Sequence, residues 1–408
     1  MKRLLIFSLC LAASYAHAES PIRPGDRIAI VGNTFADQLR IHGYLETLLR
    51  QQSDISVRNL GWAGDMLTAR DRPTGFPTEE STLTEHKTDV IIACFGMGES
   101  FDGKAGLKGF KSDLENFIAT HSGKKYNGES EVRLILVSPI ANEDLGKRSP
   151  AREKRNAELK AYTGAMRDIA TNTKLPFVDL FEPSLYLMDE RAGPNLTTNG
   201  ITLNRFGYWA ISHVFFEQLT SEIRQTWTLN IDAKAQTGTA MGVKLSEISN
   251  HKNVVSFAVL EQSTASLLPP SDGQLPPQLA DRRDRLVVTN LAPGDYTLTV
   301  DGVEVATAKH DRWASGIPVD ASPSHREAEA LRAAINDKNL QFTYSWKALN
   351  QVHIVGERKQ SPSGRALPAE VIEFKKLARQ REAKITQRDG DTPRKRQWRL
   401  APAHQSAK

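Results

Sequence analysis

Cysteine is almost absent from this chain, because only Cys10 and Cys94 occur among its 408 residues. Cys10 lies in residues 1–18, which we predict to be removed on export, so an intrachain disulfide would have no second thiol. Stability must then come from a hydrophobic core, which a chain of this length is able to bury. We expect Cys94 to be a small buried side chain of that core, because it lies in the apolar run Val90–Phe95.

Long apolar runs are also scarce. Residues 1–18 combine Lys2 and Arg3, a short apolar segment at Leu4–Ala13 and small residues at Ala16–Ala18, a pattern typical of a cleavable signal peptide. The apolar segment is too short to span a bilayer, and no later run is long enough. We therefore expect a secreted or periplasmic protein without a transmembrane segment, whose oligomeric state the sequence does not specify.

Charge is close to balanced. The formal net charge is +5, and loss of Lys2 and Arg3 would lower it to +3. The basic excess lies in Lys375–Arg399, where aromatic residues do not alternate with the basic ones and no nucleic-acid-binding motif occurs. We interpret this stretch as a solvated helix and a basic tail, and we predict no nucleic-acid partner.

Apolar runs with β-branched residues alternate with helix-like patterns through the first half of the chain. The runs predict strands at 27–31, 55–60, 89–95, 132–138 and 176–180. Such alternation is typical of βαβ units, so we predict a five-stranded parallel sheet with helices on both faces. The carboxyl ends of parallel strands meet at one edge of a sheet. Residues that follow the strands should therefore converge there, namely Thr34, Gly64, Gly98, Asn142 and the 196–204 loop.

The pattern changes after residue 228 to shorter alternating segments. Asp301-Gly302 between two such segments predicts a hairpin with a two-residue type I′ turn. We therefore predict a first domain over 19–228, a β-sandwich-like accessory region over 229–322, and a helical extension with a basic tail over 323–408.

Four ordered blocks in the first half resemble the SGNH/GDSL hydrolase family. They are VGNTFAD (31–37), NLGWAGD (59–65), FGMGES (95–100) and NGITLN (199–204). Secreted relatives with an accessory half also carry segments similar to Val300–Gly302 and Trp313–Gly316, so the resemblance covers most of the chain. It implies a three-layer α/β/α flavodoxin-like domain followed by a smaller, mainly β domain with a helical extension. It also implies an ester hydrolase, with carbohydrate acetyl esters as one substrate class.

The chemistry of that family needs a Ser nucleophile, two oxyanion donors and a His oriented by an Asp. The resemblance places Thr34 at the Ser position, Gly64 at the backbone donor, Gly98 at the Asn donor, Asn199 at the Asp and Thr202 at the His. Only Gly64 matches the family. Without the His, a Thr hydroxyl stays protonated at neutral pH and attacks slowly. Loss of one oxyanion donor costs a further factor of about 100 to 1,000 in rate.

A carboxylate could replace the missing His, and Glu99 and Asp37 are the nearest candidates in the sequence. Two functions therefore stay open. One is an active esterase that uses Thr34 with a carboxylate base. The other is a weak or non-catalytic relative whose cleft binds a carbohydrate or an acylated small molecule. We predict no cofactor and no metal site, because Asp65, Glu99 and Glu143 include no His and show no ligand spacing.

Tryptophan gives a further signal for carbohydrate binding. Trp62 lies in the second block, where an exposed indole ring would offer a flat surface to a sugar. Trp209 lies in the last predicted helix of the first domain, where we expect it to belong to the core.

Overall fold

The computed structural model of the chain describes residues 20–72, 76–189, 193–220, 226–262, 264–270, 275, 279, 282–347, 357–387 and 393–403. The predicted signal peptide at 1–18 lies outside the described residues. Within the described ranges, no helix combines the length and the apolar character needed to cross a membrane.

A five-stranded parallel sheet organises the first half, with strand order β2-β1-β3-β4-β5. Its strands are β1 (Arg27–Gly32), β2 (Ser56–Asn59), β3 (Val90–Cys94), β4 (Arg133–Val137) and β5 (Phe177–Val178). Along β1, Ile28 and Ile30 pack into one core, whereas Ala29 and Val31 pack into the core on the other face. Successive side chains of a strand point to opposite faces, so both faces are covered. The predicted three-layer α/β/α architecture is confirmed.

Helices cover both faces of this sheet. They are α1 (Thr34–His42), α2 (Tyr44–Arg50), α3 (Glu79–His86), α4 (Gly103–His121), α5 (Arg152–Thr173), α6 (Phe181–Asp189) and α7 (Arg205–Thr220). The sequence predicts one helix from Thr34 to about Gln52, but Gly43 divides it. Gly43 has φ 67°, and its N–H donates to the carbonyl of Leu39, which ends α1. Cys94 is buried in the core as expected, and burial raises the pKa of its thiol.

Two sheets form the mainly β accessory region. Its strands are β6 (Thr228–Asp232), β7 (Thr237–Met241), β8 (Val243–His251), β9 (Val254–Glu261), β10 (Arg285–Thr289), β11 (Asp295–Val300), β12 (Val303–Lys309), β13 (Ile317–Pro318) and β14 (Arg394–Pro402). The sheet orders are β13-β10-β6-β7 and β12-β11-β14-β9-β8. Asp301 and Gly302 connect β11 to β12 with φ values of 49° and 79°. A type I′ turn needs positive φ at both central residues, so the predicted hairpin is confirmed.

The basic stretch near the C-terminus is not a solvated tail throughout. β14 lies between β11 and β9, with Trp398 and Leu400 buried in the core of the accessory region. The basic side chains of β14 are not at these buried positions. One of them, Arg396, forms ion pairs with Glu261 and Glu327. The predicted tail is therefore wrong for residues 394–402, because alternation within a short strand was hidden by its charged residues.

One helix of the accessory region, α8 (His310–Ser315), buries Trp313 in the core of that region. The helical extension comprises α9 (Pro323–Trp346) and α10 (Pro362–Thr386), which pack on each other. α9 also contacts α1, α2 and β2, so the extension covers the β2 side of the parallel sheet. At the contact between α9 and α2, the Lys338 ammonium forms an ion pair with Glu46. It also donates a hydrogen bond to the carbonyl of Val57 at 3.0 Å. Asn339 and Arg50 donate to the same carboxylate at 3.0 and 3.3 Å.

Burial alone would raise the pKa of Glu46, but the charges of Lys338 and Arg50 outweigh burial and lower it. Lys338 is 0% exposed and Glu46 is 6% exposed. Buried charges are tolerated when each finds opposite charge and hydrogen bonds, and both do so here. The domain boundaries predicted from the sequence stay predictions, but this charge cluster joins the extension to the first domain.

Replacing Lys338 by Met should destabilise the protein, because Glu46 loses its ammonium partner while it stays buried. We expect the free energy of unfolding to fall by about 3–5 kcal/mol, measured by urea denaturation. Lys376→Met on the exposed side of α10 is the matched control, and its loss should be below about 1 kcal/mol. Equal losses in the two variants would contradict a stabilising role for the buried cluster.

Candidate functional site

A cavity of about 200 Å³ lies at the carboxyl edge of the parallel sheet. Four residues at positions indicated by the family resemblance line it, namely Thr34, Gly64, Gly98 and Thr202. Asn199 is not among the lining residues. Its side chain instead accepts hydrogen bonds from the N–H groups of Ile201 and Thr202, at 3.2 and 2.8 Å. Four of the five predicted positions therefore lie around one cavity, whereas Asn199 shapes the turn that carries Thr202.

The rest of the cavity wall is mainly apolar. It is formed by Phe35, Met66, Met97, Phe101, Ile201, Leu203 and Tyr208, together with Asn33 and Asp65. The apolar lining residues were not among the predicted site residues. Most of them lie within or directly beside the four sequence blocks, and this position was the signal that could have identified them. A wall of this kind favours the apolar part of a small ligand.

Thr34 is the first residue of α1, and it closely follows Gly32, where β1 and β3 lie very near each other. Gly32 has φ 133°, and a Cβ there would lie 2.1 Å from the carbonyl oxygen of Cys94, so no other residue fits. Asn33 caps the helix by accepting a hydrogen bond from the N–H of Phe35 at 3.0 Å. Among the described residues, the Thr34 hydroxyl has no hydrogen-bond partner, and no His or carboxylate is in place to take its proton.

Neither carboxylate suggested as a replacement base bonds to Thr34. Glu99 accepts hydrogen bonds from the N–H groups of Leu67 at 2.9 Å and Gly96 at 2.8 Å, one on each oxygen. Burial raises the pKa of Glu99, and the backbone hydrogen bonds offset this only in part. In this geometry Glu99 joins the loops that follow β2 and β3.

Asp37 lies one turn after Thr34, but it is held by cations. One of its oxygens accepts hydrogen bonds from Arg40 at 2.8 Å and from Lys347 at 2.7 Å. Lys347 follows α9 directly, so the helical extension reaches the first turns of α1. Asp37 is not among the residues that line the cavity, and we interpret it as an anchor for the extension.

The two positions that the family resemblance assigns to oxyanion donors differ in what they offer. Gly64 has φ 88°, and its N–H donates to no acceptor within the described part of the chain, so one backbone donor is free. Gly98 offers no side-chain amide. A Cβ at Gly98 would lie 2.9 Å from Cγ and 3.0 Å from Sδ of Met66. The Met66 thioether therefore occupies the space where an Asn side chain would begin.

Glu143 organises the loop that carries Thr202. Its carboxylate accepts hydrogen bonds from the N–H groups of Leu196 at 3.0 Å and Thr197 at 2.7 Å, and from the hydroxyl of Thr197. Asp65 is bound to Arg72 through both of its oxygens. In the part of the chain that the structure describes, no group of His, Cys, Asp and Glu side chains could hold a metal ion.

Arg155 is a buried residue of α5 that the sequence analysis missed. It donates to the carbonyl of Met97 at 2.9 Å and to that of Ser100 at 3.0 Å. Its guanidinium carbon lies 3.7 Å from the ring centroid of Phe101, at the mouth of the cavity. Arg155 therefore fixes the loop around Gly98. Its sequence gave no signal, because α5 carries many charged residues that face solvent.

Trp62 does not present a free ring surface. The guanidinium carbon of Arg72 lies 4.3 Å from the Trp62 ring centroid, and Nζ of Lys347 lies 4.8 Å from it. Phe76 and Trp346 pack edge-on against the same ring. Trp209 is fully buried, as predicted. The described tryptophan rings therefore give no support to the carbohydrate platform that the sequence suggested at Trp62.

No protein-family model and no curated protein sequence matches this chain. The structure is similar to that of a gut microbial diltiazem-metabolizing enzyme, with a TM-score of 0.68 and 18% identity over 94% of this chain and 99% of that chain. An acetylxylan esterase from Geobacillus stearothermophilus matches 50% of this chain and 99% of its own, with 17% identity and a TM-score of 0.39. The second score is too low to carry an argument. The first match shows a shared fold over nearly the whole chain, including the accessory region.

His42 is the His nearest to Thr34 in sequence, and it should be neutral at pH 7. Burial and the charges of Arg205 and Arg332 lower its pKa from 6.5 to about 4. Its ring stacks on Tyr208 at 4.7 Å between centroids, and it does not line the cavity. It is therefore an aromatic support rather than a base for Thr34.

The lowered pKa of His42 predicts a specific pH dependence. Between pH 6.5 and pH 4 the unfolded state binds more protons at this position, so the free energy of unfolding should fall as the pH falls. His42→Gln should remove that part of the acid sensitivity, measured as the difference between urea denaturation series of the two proteins. An NMR titration of His42 with a midpoint near its ordinary value would contradict the prediction.

Proposed function

We propose that this chain is an exported member of the SGNH/GDSL hydrolase family whose cleft binds an acylated small molecule or a carbohydrate ester with little or no hydrolysis. The observation that carries the proposal is the Thr34 hydroxyl, which lines the cavity without a base among the described residues. Removal of a positioned general base typically costs a factor of about 100 to 10,000 in rate. Thr202 stands where the family resemblance expects the catalytic His, so the base that is missing is the one that the family's mechanism needs.

The lining of the cavity supports an acylated ligand. Met66, Met97 and Phe101 offer apolar contact to an acyl chain, and the free N–H of Gly64 offers one hydrogen bond to its carbonyl. The structural neighbour that metabolizes diltiazem acts on a small molecule, which agrees with a cavity of about 200 Å³. Binding through one donor and an apolar wall needs none of the missing catalytic groups.

An active esterase is the second candidate, with Glu99 as the base for Thr34 or for a water molecule. One observation favours it: burial raises the pKa of Glu99, which makes its carboxylate a stronger base than an exposed one. For this function Glu99 would have to leave the N–H groups of Gly96 and Leu67. The two candidates differ in whether Thr34 is needed for hydrolysis.

Hydrolysis of 4-nitrophenyl acetate by the mature protein, residues 19–408, separates the two functions. We expect the same low rate for the parent, Thr34→Ala and Glu99→Gln, because no base serves the hydroxyl. A rate that falls at least about tenfold in Thr34→Ala would contradict the non-catalytic proposal. A fall in Glu99→Gln as well would favour the second candidate.

Restoring the family residues should create activity. The variant Thr34→Ser, Asn199→Asp, Thr202→His should hydrolyse the same ester at least about 100 times faster than the parent, since a positioned general base gives a gain of this order. Thr34→Ser with Thr198→His is the matched control, because Thr198 lies in the same loop but outside the cavity lining. Equal rates in these two variants would contradict the assignment of Thr202 to the His position.

A further inference from the structure

A second cavity, of about 210 Å³, lies at the amino ends of β1 and β2, where Arg27 and Ser56 are the first strand residues. α3 and α10 form further parts of its wall. It shares no lining residue with the cavity around Thr34. Nothing in the proposed function involves it.

The lining is rich in cations. Four basic side chains reach it, Arg27, Arg58, Lys375 and Arg379, against one carboxylate among the described lining residues, Glu85. Glu85 accepts hydrogen bonds from Lys375 at 2.9 Å and from Arg379 at 3.4 Å. Arg58 donates to Glu382 at 2.8 Å. Arg27 has no ion-pair partner in the part of the chain that the structure describes, so positive charge is left in excess.

Burial and neighbouring cations lower the pKa values of two groups at the cavity. Burial lowers the pKa of Arg58 to about 10; the carboxylate of Glu46 opposes this shift, and the charges of Arg50 and Arg379 add to it. Burial also lowers the pKa of His86 well below its ordinary value, and the charges of Arg58 and Arg27 contribute. A negative group in the cavity would reduce this repulsion.

One wall of the cavity is aromatic. Phe342 lines it beside Arg58, whose guanidinium carbon lies 5.4 Å from the ring centroid. Trp346 lines it as well, and its buried indole N–H has no acceptor among the described residues. The parts of these two rings that reach the cavity, next to several cations, fit a ligand that has a ring and an anionic group.

We propose that this cavity binds a small organic anion, with a carboxylate or phosphate group facing Arg27, Arg58 and Arg379 and a ring against Phe342 and Trp346. Arg is suited to both groups because its planar guanidinium can donate two parallel hydrogen bonds. The site is built jointly by the first domain and the helical extension, since Arg27 and Arg58 come from the sheet and Arg379 from α10.

Isothermal titration of the full mature protein with phenyl phosphate, benzoate and neutral benzamide tests the site. We expect binding of at least one anion, which weakens as salt is raised from about 0.02 to about 0.2 M, and no comparable binding of benzamide. The relative affinity of phenyl phosphate and benzoate identifies the preferred anionic group. Equal affinity for benzamide, or no binding of either anion at about 10 mM, would overturn the proposal.

Substitutions locate the binding. Arg27→Gln and Arg379→Gln should each weaken anion binding about tenfold, as expected for loss of one charge-assisted hydrogen bond. Neither side chain is buried, so both variants should fold, which thermal denaturation checks. Arg312→Gln, at an exposed Arg of α8 outside the cavity, is the matched control and should bind as the parent does. Unchanged affinity in both cavity variants would place the anion elsewhere and overturn the proposal.

Discussion

The buried ion pair between Glu46 and Lys338 joins two parts of the chain that are 292 residues apart in sequence. Neither charge could be buried alone, because removing an ion from water costs several kcal/mol unless an opposite charge and hydrogen bonds replace it. Arg50, Asn339, Glu382 and the carbonyl of Val57 are further partners of the two charges. The pair therefore fixes α9 against α2 and β2 in one arrangement.

Both ends of the molecule depend on that arrangement. The α9–α10 pair lies between β13 and β14 in the chain, so its path returns the C-terminus to the accessory region, where β14 fills the gap between β9 and β11. In the other direction, Lys347 reaches Asp37 on α1. The helix that begins with Thr34 is thus held by a residue of the helical extension.

In the candidate site, the residues that hold the loops in place are not the residues that would react with a substrate. Gly32, Glu143 and Arg155 keep the three loops in place through a close backbone approach and through hydrogen bonds to loop backbone. Under the proposed function, Thr34 and Thr202 stand in place of the groups that would perform ester hydrolysis. A cleft can keep its shape after such replacements, since its walls are held by backbone contacts that the reacting side chains do not make.

The parallel sheet, the mainly β accessory region and the sheet edge that carries the cavity can all be predicted from the amino-acid sequence. Strand and helix periods report which side chains are buried, and loops after parallel strands must meet at one edge, so Thr34 and Thr202 could be brought together without coordinates. The folded arrangement was needed to show that Glu99 binds the N–H group of Leu67, 32 residues away, and that β14 is a core strand. These outcomes depend on partners distant in sequence, and no local pattern of residues encodes which distant partner a carboxylate or a strand will find.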